Sequence, residues 1–148
     1  MFNRILLPID GSDLSNAAVR QACAFARAID ARLIFYYARP GYLPNYFASD
    51  FIVDIAGTEA DFIQAMEKQA SEILHLAVQA AETAGVEHTE LSDECNAPYE
   101  GIIAAAKSQN CDLIFMASHG RRGIGALLLG SETQKVLTHC RIPVLVYR

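Results

Sequence analysis

No run of apolar residues in this chain approaches the ~18 that a membrane-spanning helix needs. A secretory leader is not expected either. Met1-Phe2-Asn3-Arg4 leads straight into Ile5-Leu6-Leu7-Pro8-Ile9, an apolar segment too short for one and closed at once by Asp10. Positive charge is scarce, with 12 Lys and Arg against 17 Asp and Glu and a formal net charge of −5. That balance argues against nucleic acid or an anionic membrane as partner. Cys23, Cys95, Cys111 and Cys140 are far apart and form no C-x2-C pair, so they are expected as small buried thiols in a reducing compartment. His75, His88, His119 and His139 have no metal-ligand spacing, and no internal repeat or low-complexity tract is visible. A cytoplasmic protein is expected.

What the chain does have is apolar residues, 52% of its 148, with charged residues at 20%. That composition excludes disorder, and the length suits one domain, residues 1–148, around a single core. Residues 4–9 read as a buried strand that ends at Asp10-Gly11-Ser12-Asp13, where Ser12 or Asp13 can cap a helix. In that helix Leu14, Ala18, Ala22, Phe25 and Ile29 recur at helical spacing, and Asp30-Ala31 closes it. Leu33 to Ala38 is a second, continuously apolar strand, as a parallel strand covered on both faces should be. Arg39 to Thr58 is irregular, broken by Pro40, Gly41, Pro44 and Gly57 and dotted with aromatics. Such a long loop folds over a ligand, meets a partner subunit, or is pinned by its own aromatics.

Glu59 to Ala84 is a long helix with Phe62, Met66, Ala70, Ile73, Ala77 and Ala80 on one face, ended by Gly85. His88 to Asp93 alternates more, as an edge strand should. Asn96-Ala97-Pro98 opens a further helix with proline in its first turn. Leu113–Ala117 is the fourth strand, Ser131–Cys140 the last helix, and Val144–Tyr147 a short last strand. Alternating strands and helices predict an α/β fold with a parallel sheet of five strands and helices on both faces. Periodicity does not give the strand order.

The centre of the chain is Met116 to Ser131, MASHGRRGIGALLLGS. It passes from a buried strand through a glycine-rich loop to a helix start, with Ser131 and Gln134 spaced as a capping box. Such a junction offers free backbone N–H groups at the carboxyl edge of a sheet, where phosphates bind. It is not a P-loop: Gly125 to Ser131 has the glycine spacing, but Ser131 stands where the lysine belongs. Nor is it a dinucleotide fingerprint, since Leu128 replaces the third glycine after Gly123 and Gly125. The pattern that fits is Gly120, nine residues, then Gly130-Ser131. Here the chain resembles the universal stress protein family, whose nucleotide-binding members carry G-x2-G-x9-G-[ST]. Ala117 stands in place of the first glycine. Ile5-Leu6-Leu7-Pro8-Ile9-Asp10-Gly11-Ser12, Asp112-Leu113-Ile114, Ser118-His119-Gly120-Arg121 and Ile142-Pro143-Val144-Leu145-Val146 extend the resemblance over the whole chain.

The resemblance implies strand order 3-2-1-4-5, a Rossmann-like open sheet of the adenine-nucleotide alpha-hydrolase type. It also implies ATP, with Mg²⁺ on its phosphates, in the crevice where the strand order reverses. Asp10, beside Pro8 and Ile9, would accept from the adenine amino group, and Ala38 would offer backbone to the adenine edge. The backbone at Met116, Ala117, Ser118 and Gly120 would approach ribose and phosphate. Gly130, Ser131, Glu132 and Thr133 would present N–H groups to the phosphates, with Arg121 and Arg122 supplying charge. Other roles stay open: Asp10 as a helix cap, the arginines as a solvated pair, Ser131 as a cap alone, His119 as a loop brace. The expected activity is binding with little or no turnover, since only His119 and Asp13 offer themselves as a base. The alternative is a dimeric interaction protein without nucleotide. A homodimer through Val144–Tyr147 is expected in either case.

Overall fold

The computed structural model describes residues 1–42, 58–121 and 129–148. Its first strand, β1 (Arg4–Pro8), is followed by α1 (Asp13–Ile29), β2 (Arg32–Arg39), α2 (Glu59–Ala84) and β3 (His88–Glu94). Then come α3 (Pro98–Ser108), β4 (Leu113–Ala117), α4 (Ser131–His139) and β5 (Val144–Tyr147). The strands form one parallel sheet in the order β3-β2-β1-β4-β5, as the resemblance implied. The chain therefore builds outward from β1 in one direction and then, from β4, in the other.

Alternating side chains of the sheet feed two separate cores. Ile5, Leu7, Leu33, Phe35 and Phe115 pack under α1 and α2. Leu6, Ile34, Tyr36, Ile114 and Met116 pack on the other face with α3 residues and Val136 of α4. This is why Ile5, Leu6 and Leu7 are all fully buried: a central parallel strand has no solvent face. Small residues, Ala18, Ala22 and Ala26, form much of the buried stripe of α1.

The helix ends are set by local chemistry. Ser12 caps α1, its Oγ accepting from the Ser15 N–H at 3.2 Å, and Asp30 closes it in the left-handed region at φ 56°. Thr58 and Asp61 form a reciprocal capping box on α2, which Gly85 ends at φ 67°.

Several expectations need correction. Ala81 is fully buried in the stripe of α2, and Ala80 packs half-buried against the same core. The edge strand β3 shows exposed doublets, Thr89-Glu90 and Asp93-Glu94, in place of strict alternation. The cap of α4 is Gly130, and Ser131 is its first helical residue without a capping box; Gln134 instead donates its side-chain amide to the Leu129 carbonyl at 2.9 Å. The helix stops at His139, one residue early. Cys23 and Cys111 are buried, but Cys95 and Cys140 are half-exposed. Most of the Arg39–Thr58 loop and the stretch Arg122–Leu128 lie outside the described residues.

Candidate functional site

After β1, the Ile9 N–H still donates to the Tyr36 carbonyl of β2, at 2.9 Å. The next residue leaves the ladder: the Asp10 N–H turns to Ser15 Oγ at 3.2 Å, and Gly11 reverses the chain at φ 77°. Side-chain direction alternates along β2, so Ala38 faces the same side as Tyr36, beyond the point where β1 has departed. Ala38 is half-buried and lies two residues past Tyr36, where the pairing of β2 with β1 ends.

The Asp10 carboxylate accepts two backbone hydrogen bonds. Its Oδ1 takes the Ser12 N–H at 2.9 Å, and its Oδ2 takes the Arg121 N–H, also at 2.9 Å. Asp10 is therefore not the cap of α1, which is Ser12. It bridges the turn after β1 and the loop after β4. Gly120 sits so close to Asp10 Oδ2 that a Cβ there would overlap the carboxylate. The buried phenol of Tyr37 lies within the fields of Asp10 and Arg121; burial, chiefly, holds its pKa above the usual value. No signal in the run LIFYYA marks Tyr37 as a neighbour of the site.

Beyond β4 the backbone is fixed atom by atom. The Ala117 carbonyl accepts from Thr133 Oγ1 at 3.1 Å. The Ser118 N–H donates to the Tyr147 carbonyl at 2.7 Å, and the Ser118 carbonyl accepts from the Gly130 N–H at 2.7 Å. His119 Nδ1 lies 3.2 Å from Ser118 Oγ, so the histidine braces the loop through its immediate neighbour. Ala117 is in ordinary strand conformation: Asp30 and Asn110 are the non-glycine residues with positive φ among those described. The missing motif glycine thus costs the backbone no strain. Gly120 also lacks positive φ, and what requires glycine there is the Asp10 carboxylate.

At α4, the first intrahelical bond runs from the Gln134 N–H to the Gly130 carbonyl at 3.0 Å. The N–H groups of Ser131, Glu132 and Thr133 precede it and have no acceptor among the described residues, the usual state of a helix N-terminus. Together with the helix dipole they favour an anion. The side chains go elsewhere. Thr133 is buried against β4, and Glu132 turns to α3, where its Oε2 accepts from the Tyr99 N–H at 2.8 Å. Sequence reasoning missed this second role of Glu132, for nothing local connects it to Tyr99.

Asp10 is thus brought together with Gly120 and Arg121, and Ala117 and Ser118 with Gly130 and Thr133, at the carboxyl ends of β1 and β4 where the sheet order reverses. Ala38 lies near the end of the neighbouring strand β2. Pro8 is the last residue of β1. Ile9 and Met116 take part only through their backbone, since both side chains are buried in the two cores. Arg122 lies outside the described residues. At the opposite end of the sheet a polar groove runs past Arg4, Arg27, Asp30, Arg32 and Glu87. The C-termini of α1 and α2 end there, and their dipoles disfavour a phosphate.

The profile of the universal stress protein family matches residues 1–148. A universal stress protein of Thermus aquaticus, encoded 3′ of a QAH/OAS sulfhydrylase, is 32% identical over 148 residues, covering 100% of both chains. Among solved structures, the Methanocaldococcus jannaschii protein MJ0577 aligns with TM-score 0.80 at 23% identity, over 99% of this chain and 95% of that one. A universal stress protein in complex with cAMP aligns at TM-score 0.68 and 26% identity, over 99% and 97%. The Archaeoglobus fulgidus universal stress protein in complex with dAMP aligns at TM-score 0.68 and 19% identity, over 100% and 98%.

Proposed function

The chain belongs to the universal stress protein family over its whole length, and on that premise we propose that it binds an adenine nucleotide, ATP with Mg²⁺, in the crevice at the sheet reversal. The observation that carries this reading is the set of three N–H groups, Ser131, Glu132 and Thr133, without an acceptor among the described residues, at the end of the sheet where Asp10 meets the loop after β4. The phosphates would take those donors and the Ser131 hydroxyl, with Mg²⁺ bridging phosphate oxygens. The adenine would lie beside Ala38. Each Asp10 oxygen already holds one N–H but retains acceptor capacity for the adenine amino group. The cAMP and dAMP complexes of family members support the adenine class.

The protein acts, in this reading, as a stress-response binding module with little or no turnover. Of the two candidate bases, His119 lies against Ser118, and Asp13 is an exposed first-turn residue of α1. The homodimer is proposed through β5, which among the described residues pairs with β4 alone. Because the carbonyls of Pro143 and Tyr147 face β4, Val144 and Val146 direct their backbone groups to the outer edge.

A second reading, an interaction protein without nucleotide, draws on one observation. Asp10 already holds the Arg121 N–H, and the Ser118 carbonyl holds the Gly130 N–H, so the described ends of the loop after β4 are tied down without a ligand. Mass spectrometry of small molecules released from the denatured purified protein separates the two. Copurifying ATP or ADP supports the first reading. Protein that carries no nucleotide and gives no heat with added ATP and Mg²⁺ supports the second.

A further inference from the structure

Helix α3 has no side-chain cap of its own, because Ala97 stands at the capping position. Its first-turn donors can be accounted for one by one. Pro98 has no N–H, and the N–H groups of Glu100 and Gly101 both reach the Ala97 carbonyl, at 2.9 and 3.3 Å. The donor left over is the Tyr99 N–H, and Glu132 takes it from 33 residues away, at 2.8 Å. Lys135 Nζ holds the other Glu132 oxygen at 2.9 Å and lies 5.3 Å from the centre of the Tyr99 ring. So α4 and α3 are hooked together at their N-terminal turns.

The far side of the hook is also anchored. Gly101 presses on β2 so closely that a Cβ would overlap the Tyr36 hydroxyl, which donates to Asp93 Oδ1 at 2.6 Å. The main chain of Tyr36 in turn accepts the Ile9 N–H at the rim of the crevice. Helix α3 is thus a fixed reference for α4. A carboxylate in the first turn of α4 places negative charge near the proposed phosphates, an unfavourable choice if charge were its only effect.

We propose that Glu132 is a positioning residue for the phosphate donors: its carboxylate, by holding the Tyr99 N–H, fixes the first turn of α4 against α3. The inference rests on the nucleotide reading above. It makes reach matter more than charge at this position. Glu132→Gln keeps an acceptor oxygen at the same reach and removes the charge. Glu132→Asp keeps the charge and loses the reach.

The test is calorimetric titration of the parent and both variants with ATP and Mg²⁺, alongside hydrogen exchange of the Tyr99 amide by NMR. The Gln variant is expected within about threefold of the parent affinity, with Tyr99 still protected. The Asp variant is expected to bind about tenfold more weakly, the worth of one charge-assisted hydrogen bond. Its Tyr99 amide should exchange at least about tenfold faster than in the parent. An Asp variant that binds like the parent while the Gln variant binds more tightly makes Glu132 a charge and not a hook, and overturns the inference alone. A parent that binds no nucleotide overturns the reading of the crevice and this inference with it.

Discussion

The main-chain N–H of Arg121 donates to the carboxylate of Asp10 at 2.9 Å, across 111 residues of sequence. That one bond joins the turn after β1 to the loop after β4, the two segments that a sheet reversal brings side by side. The bond ties the two segments to each other before any ligand is bound.

Asp10→Asn should test both roles of this carboxylate. The amide has one acceptor oxygen for two N–H donors and sets an NH₂ against the other. The variant should lose about 1–3 kcal/mol of stability in urea denaturation and most of its affinity for ATP in calorimetry. The parent should prefer ATP to GTP, whose carbonyl oxygen would face the carboxylate in place of the adenine amino group. Equal or tighter GTP binding would refute the adenine assignment.

Gly120→Ala and Ala117→Gly should behave as opposites. A Cβ at position 120 overlaps Asp10 Oδ2, so the bond to Arg121 must open or the loop must shift. Nucleotide affinity should fall by at least about tenfold, the equivalent of ~1.4 kcal/mol. Restoring the family glycine at position 117 should leave affinity within about twofold, because Ala117 is unstrained, and cost about 0.5–1 kcal/mol of strand stability. A large gain in affinity from Ala117→Gly, measured by the same titration, would mean that the methyl group obstructs the ligand.

Val146→Pro removes an N–H that faces the outer edge of β5, leaving the donors that face β4 in place. The parent should sediment as a concentration-dependent dimer and the variant mostly as monomer, with ATP affinity within about threefold of the parent. A monomeric parent at high micromolar concentration, or a variant that dimerises as tightly, would place the interface elsewhere.

Asp112 should make part of the stability acid-sensitive. Burial raises its pKa, but the N–H groups of Arg4 and Asn3, at 2.9 and 2.8 Å, outweigh burial and hold it below the ordinary carboxylate value. A depressed folded pKa means stability that is present above the unfolded value, about 3.9, and lost as pH falls through the lower folded one. Asp112→Ala should therefore be less stable than the parent by about 1 kcal/mol at pH 7. The gap should close below about pH 4 in pH-dependent urea denaturation. A gap that persists unchanged at pH 3 would assign the loss to packing.

The sequence alone determined the elements. Leu113–Ala117 and Val144–Tyr147 are the strands that their apolar runs predict, and α2 spans Glu59–Ala84 between its own start and stop signals. These are legible because caps, glycine stops and periodic burial act over a few residues. The glycine spacing from Gly120 to Gly130-Ser131 was legible too, and it pointed to the crevice. Only the tertiary structure decided why those residues are needed. Gly120 is a glycine because Asp10 lies against it, and Gly130 caps α4 in place of Ser131 because its N–H is held by the Ser118 carbonyl. Glu132 reads as one more helix-start residue until α3 supplies Tyr99. These contacts span gaps in sequence that periodicity does not encode. They exist because parallel packing of β1 between β2 and β4 sets loops from distant parts of the chain within hydrogen-bonding distance.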